Sequence, residues 1–173
     1  MKIKPDFVAE ELLEITPDFL QEIGALYVLI DLDNTLVPRN SFKVEEGVKK
    51  WLGELKKAGI RVYIVSNSLH KRARELADVL EVSGFIAPAG KPFLFRIKRF
   101  LKTNRIPCES AVFIGDQLFT DIYLSRRLGI SSIWVMPLSG GDPLHTRILR
   151  AIERLFLLKW KKKNNVKFVR SNK

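Results

Sequence analysis

Apolar residues recur along this chain with two different periods. Short β-branched or aromatic runs fall at 26–31, at 60–66 (IRVYIVS), at 85–88 (FIAP), at 111–115 (AVFIG) and at 131–135 (SSIWV). Runs of this length and make-up predict buried parallel strands. Between them lie four helix candidates, 44–58, 69–82, 92–104 and 118–128, with Gly59, Gly84 and Gly129 at or near the C-terminal ends of three. Strict alternation of the two patterns predicts an α/β sandwich around a parallel sheet of about five strands. No internal repeat or linker interrupts it, so residues 1–173 read as one domain.

Ligands of such sheets bind beyond the carboxyl ends of the strands. Polar residues poorly suited to a core gather at those ends. The first strand delivers Asp31, Asp33 and Thr35, and the second Ser66 and Asn67. The turn after the third delivers Lys91 in GKP, and the fourth delivers Asp116 and Asp121 in GDQLFTD. Carboxylates, a hydroxyl and a lysine on one rim suit a magnesium ion and a phosphoryl group, because the metal takes oxygen ligands and the cations neutralise phosphate. A carboxylate at Asp31 is able to attack phosphorus and form an acyl phosphate. Asp33 is placed to protonate the leaving oxygen and then to deprotonate water. The Asp31 carboxylate, the Asp33 backbone carbonyl and Asp116 form a metal-ligand set. Ser66 and Asn67 offer hydrogen bonds to phosphate oxygens, and Lys91 a fixed positive charge. Thr35 braces the turn. Asp121 either supports the metal through water or hydrogen-bonds near the start of the helix at 118–128. His70 and His145 lack ligand partners at suitable spacing and read as surface or capping residues, and Cys108 as structural.

DLDNT, the serine of VSNS, the lysine of GKP and GDQLFTD, in that order, resemble the four motifs of the haloacid dehalogenase superfamily. The resemblance implies a Rossmann-like three-layer sandwich and a magnesium-dependent phosphatase with an aspartyl-phosphate intermediate. Asn34 stands where many such phosphatases carry glycine. The second aspartate of the first motif favours phosphatase over dehalogenase chemistry. GALYVLIDLDNTLVPRN, AGKP, GDQLFTDI and the late segment MPLSGGDPLHTRILRAIERL extend the similarity to subclass IIIA members of the YqeG type, over nearly the whole chain. Those are related to the fungal mitochondrial phosphatase of phosphatidylglycerophosphate, which implies that lipid as a substrate. Only short stretches separate Thr35 from the helix at 44 and Ser66 from Lys91. Neither leaves room for a cap domain, so the site is expected to be open to large substrates.

Charge changes the picture at one end. The net charge is +11, yet residues 144–173 carry ten Lys/Arg against one acid, while the remainder is nearly balanced. Over 143–160, Leu144, Ile148, Ile152, Leu155 and Phe156 recur at helical spacing, as in a terminal helix docked on the sheet layer. In Leu157–Lys163, Leu157, Leu158 and Trp160 beside four lysines suit the interface of an anionic membrane. A basic tail that touches RNA is the competing reading, and with it a nucleic-acid- or ribosome-binding protein on the same scaffold. One cysteine excludes an intrachain disulfide framework. The N-terminus shows no signal-peptide pattern, and no run approaches the ~18 apolar residues of a membrane span. The expectation is a cytoplasmic enzyme, peripheral to the inner membrane face if the tail binds lipid.

Overall fold

The computed structural model describes residues 3–138, 155 and 167–169. The expected Leu157–Lys163 membrane element, His145 and all of the expected terminal helix except Leu155 lie outside the described residues. Leu155, expected on that helix's packed face, is 66% exposed.

Seven parallel strands form one sheet, in the order β4-β3-β2-β5-β6-β1-β7. They are β1 (Phe7–Ala9), β2 (Tyr27–Ile30), β3 (Arg61–Val65), β4 (Gly84–Ile86), β5 (Ala111–Gly115), β6 (Ser131–Val135) and β7 (Lys167–Phe168). Five match the strand candidates of the sequence. The two additions, β1 and β7, are three and two residues long, too short for a period to be read. They pair with each other, so the chain's late segment returns to the sheet edge, where Val169 N–H donates to the Val8 carbonyl.

The helices are α1 (Pro17–Glu22), α2 (Glu46–Lys57), α3 (His70–Val79), α4 (Phe95–Thr103) and α5 (Tyr123–Leu128). Thr16 caps α1 by accepting from Phe19 N–H, with Pro17 at the first helical position. In α2 the buried residues Val48, Trp51, Leu52 and Leu55 fall on one stripe, the spacing that lets a helix lie on a sheet. Strand side chains alternate between two layers. Val28, Ile30, Val62, Ile64, Val112 and Ile114 pack with α1, α2 and α3. Leu29, Tyr63, Val65 and Phe113 pack with α4 and α5. The first layer also ties the N-terminal segment down, because the Trp51 indole N–H donates to the buried Ile15 carbonyl at 2.7 Å.

Chain order runs outward from β2 to β4 on one side and from β5 to β6 on the other. The crevice beyond β2 and β5 is therefore the topological switch point, where loops diverge and a ligand has room. Among the described residues no cap is inserted: no named element lies between Thr35 and α2, and the route from Ser66 to Lys91 holds only α3 and β4.

Leu55 is fully buried on the α2 stripe. Leu55→Ala is expected to cost about 2–5 kcal/mol of stability, read as a lower denaturant midpoint at unchanged slope.

Candidate active site

The candidate site begins where β2 stops. Asp31 N–H still donates to the Ile114 carbonyl, which anchors it to β5 one residue past the strand. The chain then turns tightly. Asn34 sits at φ +64°, a left-handed conformation that asparagine tolerates better than most residues other than glycine. Its N–H donates to the Val37 carbonyl, its carbonyl accepts from Leu138 N–H, and its side-chain oxygen accepts from Arg39 N–H. These bonds and the positive φ explain how an asparagine is accommodated at this turn.

Across the crevice, β5 ends in Gly115 and delivers Asp116. A π-helical turn, Leu118–Ile122, then carries Asp121 back under the strand end. A Cβ on Gly115 would lie 2.6 Å from the Cβ and Cγ of Asp121, so only glycine lets that carboxyl approach. Gln117 N–H donates to Asp121 Oδ2 at 3.2 Å. Asp116 is held from two sides: the Trp134 indole N–H donates to its carbonyl at 2.8 Å, and Thr35 Oγ1 lies 3.4 Å from its Oδ1.

Asp31, Asp116 and Asp121 each place a carboxylate oxygen within 4.8 Å of the others. All three are buried, with Asp116 and Asp121 fully so. Lys91 Nζ lies 2.5 Å from Asp31 Oδ1 and 2.7 Å from Asp121 Oδ1. Among the described residues these four are the only charged side chains buried. Burial disfavours the ammonium of Lys91, but Asp121 and Asp31 outweigh that and raise its pKa above the ordinary lysine value. Burial, with Asp31 nearby, pushes Asp121 up to about 6 although Lys91 pulls the other way. Three acids against one base leave an excess of negative charge in a dry place, and the donor set is all oxygen. That fits a hard divalent cation such as magnesium.

Asp33 points elsewhere. Its carboxylate pairs with Arg72 of α3, Nη1 to Oδ1 at 2.7 Å, and Arg72 Nη2 also donates to the Ser41 carbonyl at 2.8 Å. Burial raises the Asp33 pKa, Arg72 opposes that, and Asp31 adds to it, for a net upward shift. Ser66 Oγ accepts from Ser68 N–H and lies 2.9 Å from Ser68 Oγ, which holds its hydroxyl at the end of β3. Asn67 makes both of its side-chain bonds to the Lys91 backbone: Oδ1 accepts from Lys91 N–H at 2.8 Å and Nδ2 donates to the Lys91 carbonyl at 2.9 Å. It thus positions the lysine. Cys108 is half-buried, and burial raises its thiol pKa, so it is a weak nucleophile.

The sequence reading overlooked Arg72, Gly115 and Trp134. Arg72 lies between Lys71 and Arg74 with nothing in the pattern to set it apart. Its one signal is position, in the first turn of the helix that leaves the Ser66 rim.

The family model for haloacid dehalogenase-like hydrolases matches residues 1–129. The chain is 34% identical to "Probable phosphatase YqeG" of Bacillus subtilis (strain 168) over 164 residues, 95% of each chain. It is 25% identical to "Phosphatidylglycerophosphate phosphatase 1, chloroplastic" of Chlamydomonas reinhardtii over 166 residues, 90% of this chain and 61% of that one. Among solved structures, an uncharacterized Listeria monocytogenes serotype 4b protein shares the fold with a TM-score of 0.55, at 21% identity over 77% of this chain and 98% of that one. The 3-deoxy-D-manno-octulosonate 8-phosphate phosphatase of Yersinia pestis shares it at 0.52, with 19% identity over 87% and 90%. With the motifs in order on the strand ends and most of the chain matched, this protein belongs to the haloacid dehalogenase-like hydrolases.

Proposed function

We propose that this hydrolase is a magnesium-dependent phosphomonoesterase that passes the phosphoryl group through Asp31, and that its substrate is a phospholipid phosphate of the phosphatidylglycerophosphate class. One observation carries the reaction: three buried carboxylates cluster at the switch point, two of them paired with Lys91, and a fourth, Asp33, is held apart on Arg72.

Magnesium, when bound, would be held by Asp31, Asp116 and the Asp33 backbone carbonyl, with Asp121 close enough to contribute, and would supply charge stabilisation to phosphoryl oxygens. An Asp31 carboxylate oxygen attacks phosphorus, and the bond to the leaving oxygen breaks. Asp33, whose pKa burial raises against the opposing pull of Arg72, acts as the general acid and gives its proton to that oxygen. The ionised Asp33 then takes a proton from water, whose oxygen attacks the same phosphorus and releases inorganic phosphate, regenerating Asp31. Lys91 and the Ser66 hydroxyl steady the phosphate oxygens throughout. Thr35 fixes Asp116, and Asn67 fixes Lys91. Asp121 acts on Lys91 directly through its 2.7 Å ion pair.

The lipid reading draws on three supports. One relative carries phosphatidylglycerophosphate phosphatase in its name, the uncapped rim admits a large substrate, and the tail from about 143 is basic. That tail suits an anionic surface, and no helix among the described residues is long and apolar enough to cross a membrane. Phosphate release should be compared across phosphatidylglycerophosphate, soluble sugar phosphates, nucleotides and phosphopeptides. Fastest turnover of the lipid supports the reading, and preference for any other class replaces it.

Asp31→Asn is expected to lower turnover by several orders of magnitude, at about 1.4 kcal/mol per tenfold, without loss of fold by circular dichroism. A variant that keeps a tenth of the wild-type rate would refute the nucleophile assignment. Arg72→Ala removes the charge that lowers the Asp33 pKa, so the protonated acid should persist to higher pH. The basic limb of the kcat/KM profile should then move upward, and Arg72→Lys should move it less. A basic limb that stays in place would show that Arg72 does not act on Asp33.

A further inference from the structure

The most solvent-exposed large apolar side chains do not lie at random. Among the described residues, Leu155 at 66% and Leu26 and Val79 at 55% are also exposed, but the three most exposed, Leu69, Phe95 and Phe93 at 80%, 79% and 75%, group with Phe42 at 55%. All four sit on the segments that leave the carboxyl ends of β2, β3 and β4, three adjacent strands of the sheet. Phe42 follows the Asp31–Asp33 turn, Leu69 follows Ser66, and Phe93 and Phe95 follow Lys91. They border the catalytic rim on both of its helix layers, because α3 packs on one face of the sheet and α4 on the other. Exposures of 75–80% mean that Leu69, Phe93 and Phe95 stand clear of the protein, while Phe42 is half-covered beside Arg72.

The residues between them are basic. Segments 39–43, 68–72 and 92–96 contain Arg39, Lys43, Lys71, Arg72 and Arg96 and no acid, with the first acids of α2, Glu45 and Glu46, beyond them. Arg72 connects this border to the chemistry, since it pairs with Asp33, donates to the Ser41 carbonyl and lies 5.5 Å from the Phe42 ring.

We propose that Phe42, Leu69, Phe93 and Phe95 form an interfacial rim that seats the open active site on an anionic phospholipid surface, with the surrounding Arg and Lys on the headgroups. The proposal rests on the lipid-phosphate reading above and adds where the surface is met: at the mouth of the site, in addition to the basic tail. Aromatic and leucine side chains that protrude among cations match the chemistry of a headgroup boundary, where apolar tips enter the acyl edge and charges stay with phosphates. A protein partner would be expected to meet a flatter, better-packed apolar patch. The arrangement also solves a geometric difficulty. The nucleophile is buried, so a lipid phosphate reaches Asp31 only if the mouth lies against the plane from which it projects.

The test uses the full chain with the double variants Phe93→Ser/Phe95→Ser and Phe42→Ser/Leu69→Ser, each checked for an unchanged melting temperature. Sedimentation is measured with phosphatidylcholine vesicles with and without phosphatidylglycerol. Turnover is measured on p-nitrophenyl phosphate and on phosphatidylglycerophosphate in vesicles or dispersed in detergent. Wild-type protein should sediment with anionic vesicles, and each double variant should lose about tenfold or more of that binding and of vesicle turnover. Turnover of p-nitrophenyl phosphate should stay within about twofold, since none of the four residues belongs to the catalytic set. Vesicle binding lost by the variants, in a protein that does not turn over the lipid in either form, would keep the rim and remove the lipid substrate. Lipid turnover with vesicle binding equal in all proteins would remove the rim and keep the substrate. Loss of self-association or of a protein complex in the variants, with vesicle binding intact, would assign the surface to protein and overturn the proposal.

Discussion

Crowding of carboxylates around one lysine is the constraint that the rest of this molecule accommodates. Three acids and Lys91 share a buried volume in which their oxygens lie within 4.8 Å of one another. Like charges at that range in a place of low dielectric repel strongly. Burial, with Asp31 adding to it, raises Asp121 to about 6 although Lys91 beside it pulls the other way. A dication would offset the excess charge, and its own positive charge is what the negative oxygens of a phosphoryl group can use.

Much of the local structure near the crevice serves to hold those groups where they are. Gly115 is empty so that Asp121 can approach, Trp134 and Thr35 fix the two ends of Asp116, and the Asn67 amide clamps the Lys91 backbone. The left-handed Asn34 lets the chain turn soon after Asp31. Arg72 separates Asp33 from the acidic cluster by giving it a cation of its own. Two carboxylates one residue apart therefore meet different surroundings, which is how neighbours with the same chemistry come to play different roles.

The long strands and the site residues were legible because each left a local mark: a β-branched run, followed by a polar residue where a core would want none. Asp31, Ser66, Lys91 and Asp116 all follow that pattern, and the four helices between the strands carry a period that survives in sequence. What escaped lacks such a mark. β1 and β7 owe their strand form to a neighbour's open edge, and two or three residues cannot display a period. The break at Leu118–Ile122 hides inside a segment that reads as one continuous helix. Arg72 looks like any exposed base until the fold brings Asp33 to it, and Gly115 looks like a strand terminator until Asp121 is seen beneath it.

The most direct test of the account is the melting temperature of the metal-free protein with and without magnesium, in wild type and in Asp116→Asn. Binding to the native state alone stabilises by about 2.7 kcal/mol at one hundred times the dissociation constant, so wild type should melt several degrees higher with saturating magnesium. Asp116→Asn removes a ligand and one repelling charge. Its metal-free form should melt at or above the metal-free wild type, and magnesium should raise it far less. A wild-type melting temperature indifferent to both magnesium and chelator, or a metal-free Asp116→Asn protein that is markedly less stable, would contradict the claim that this buried acidic cluster is built around a cation.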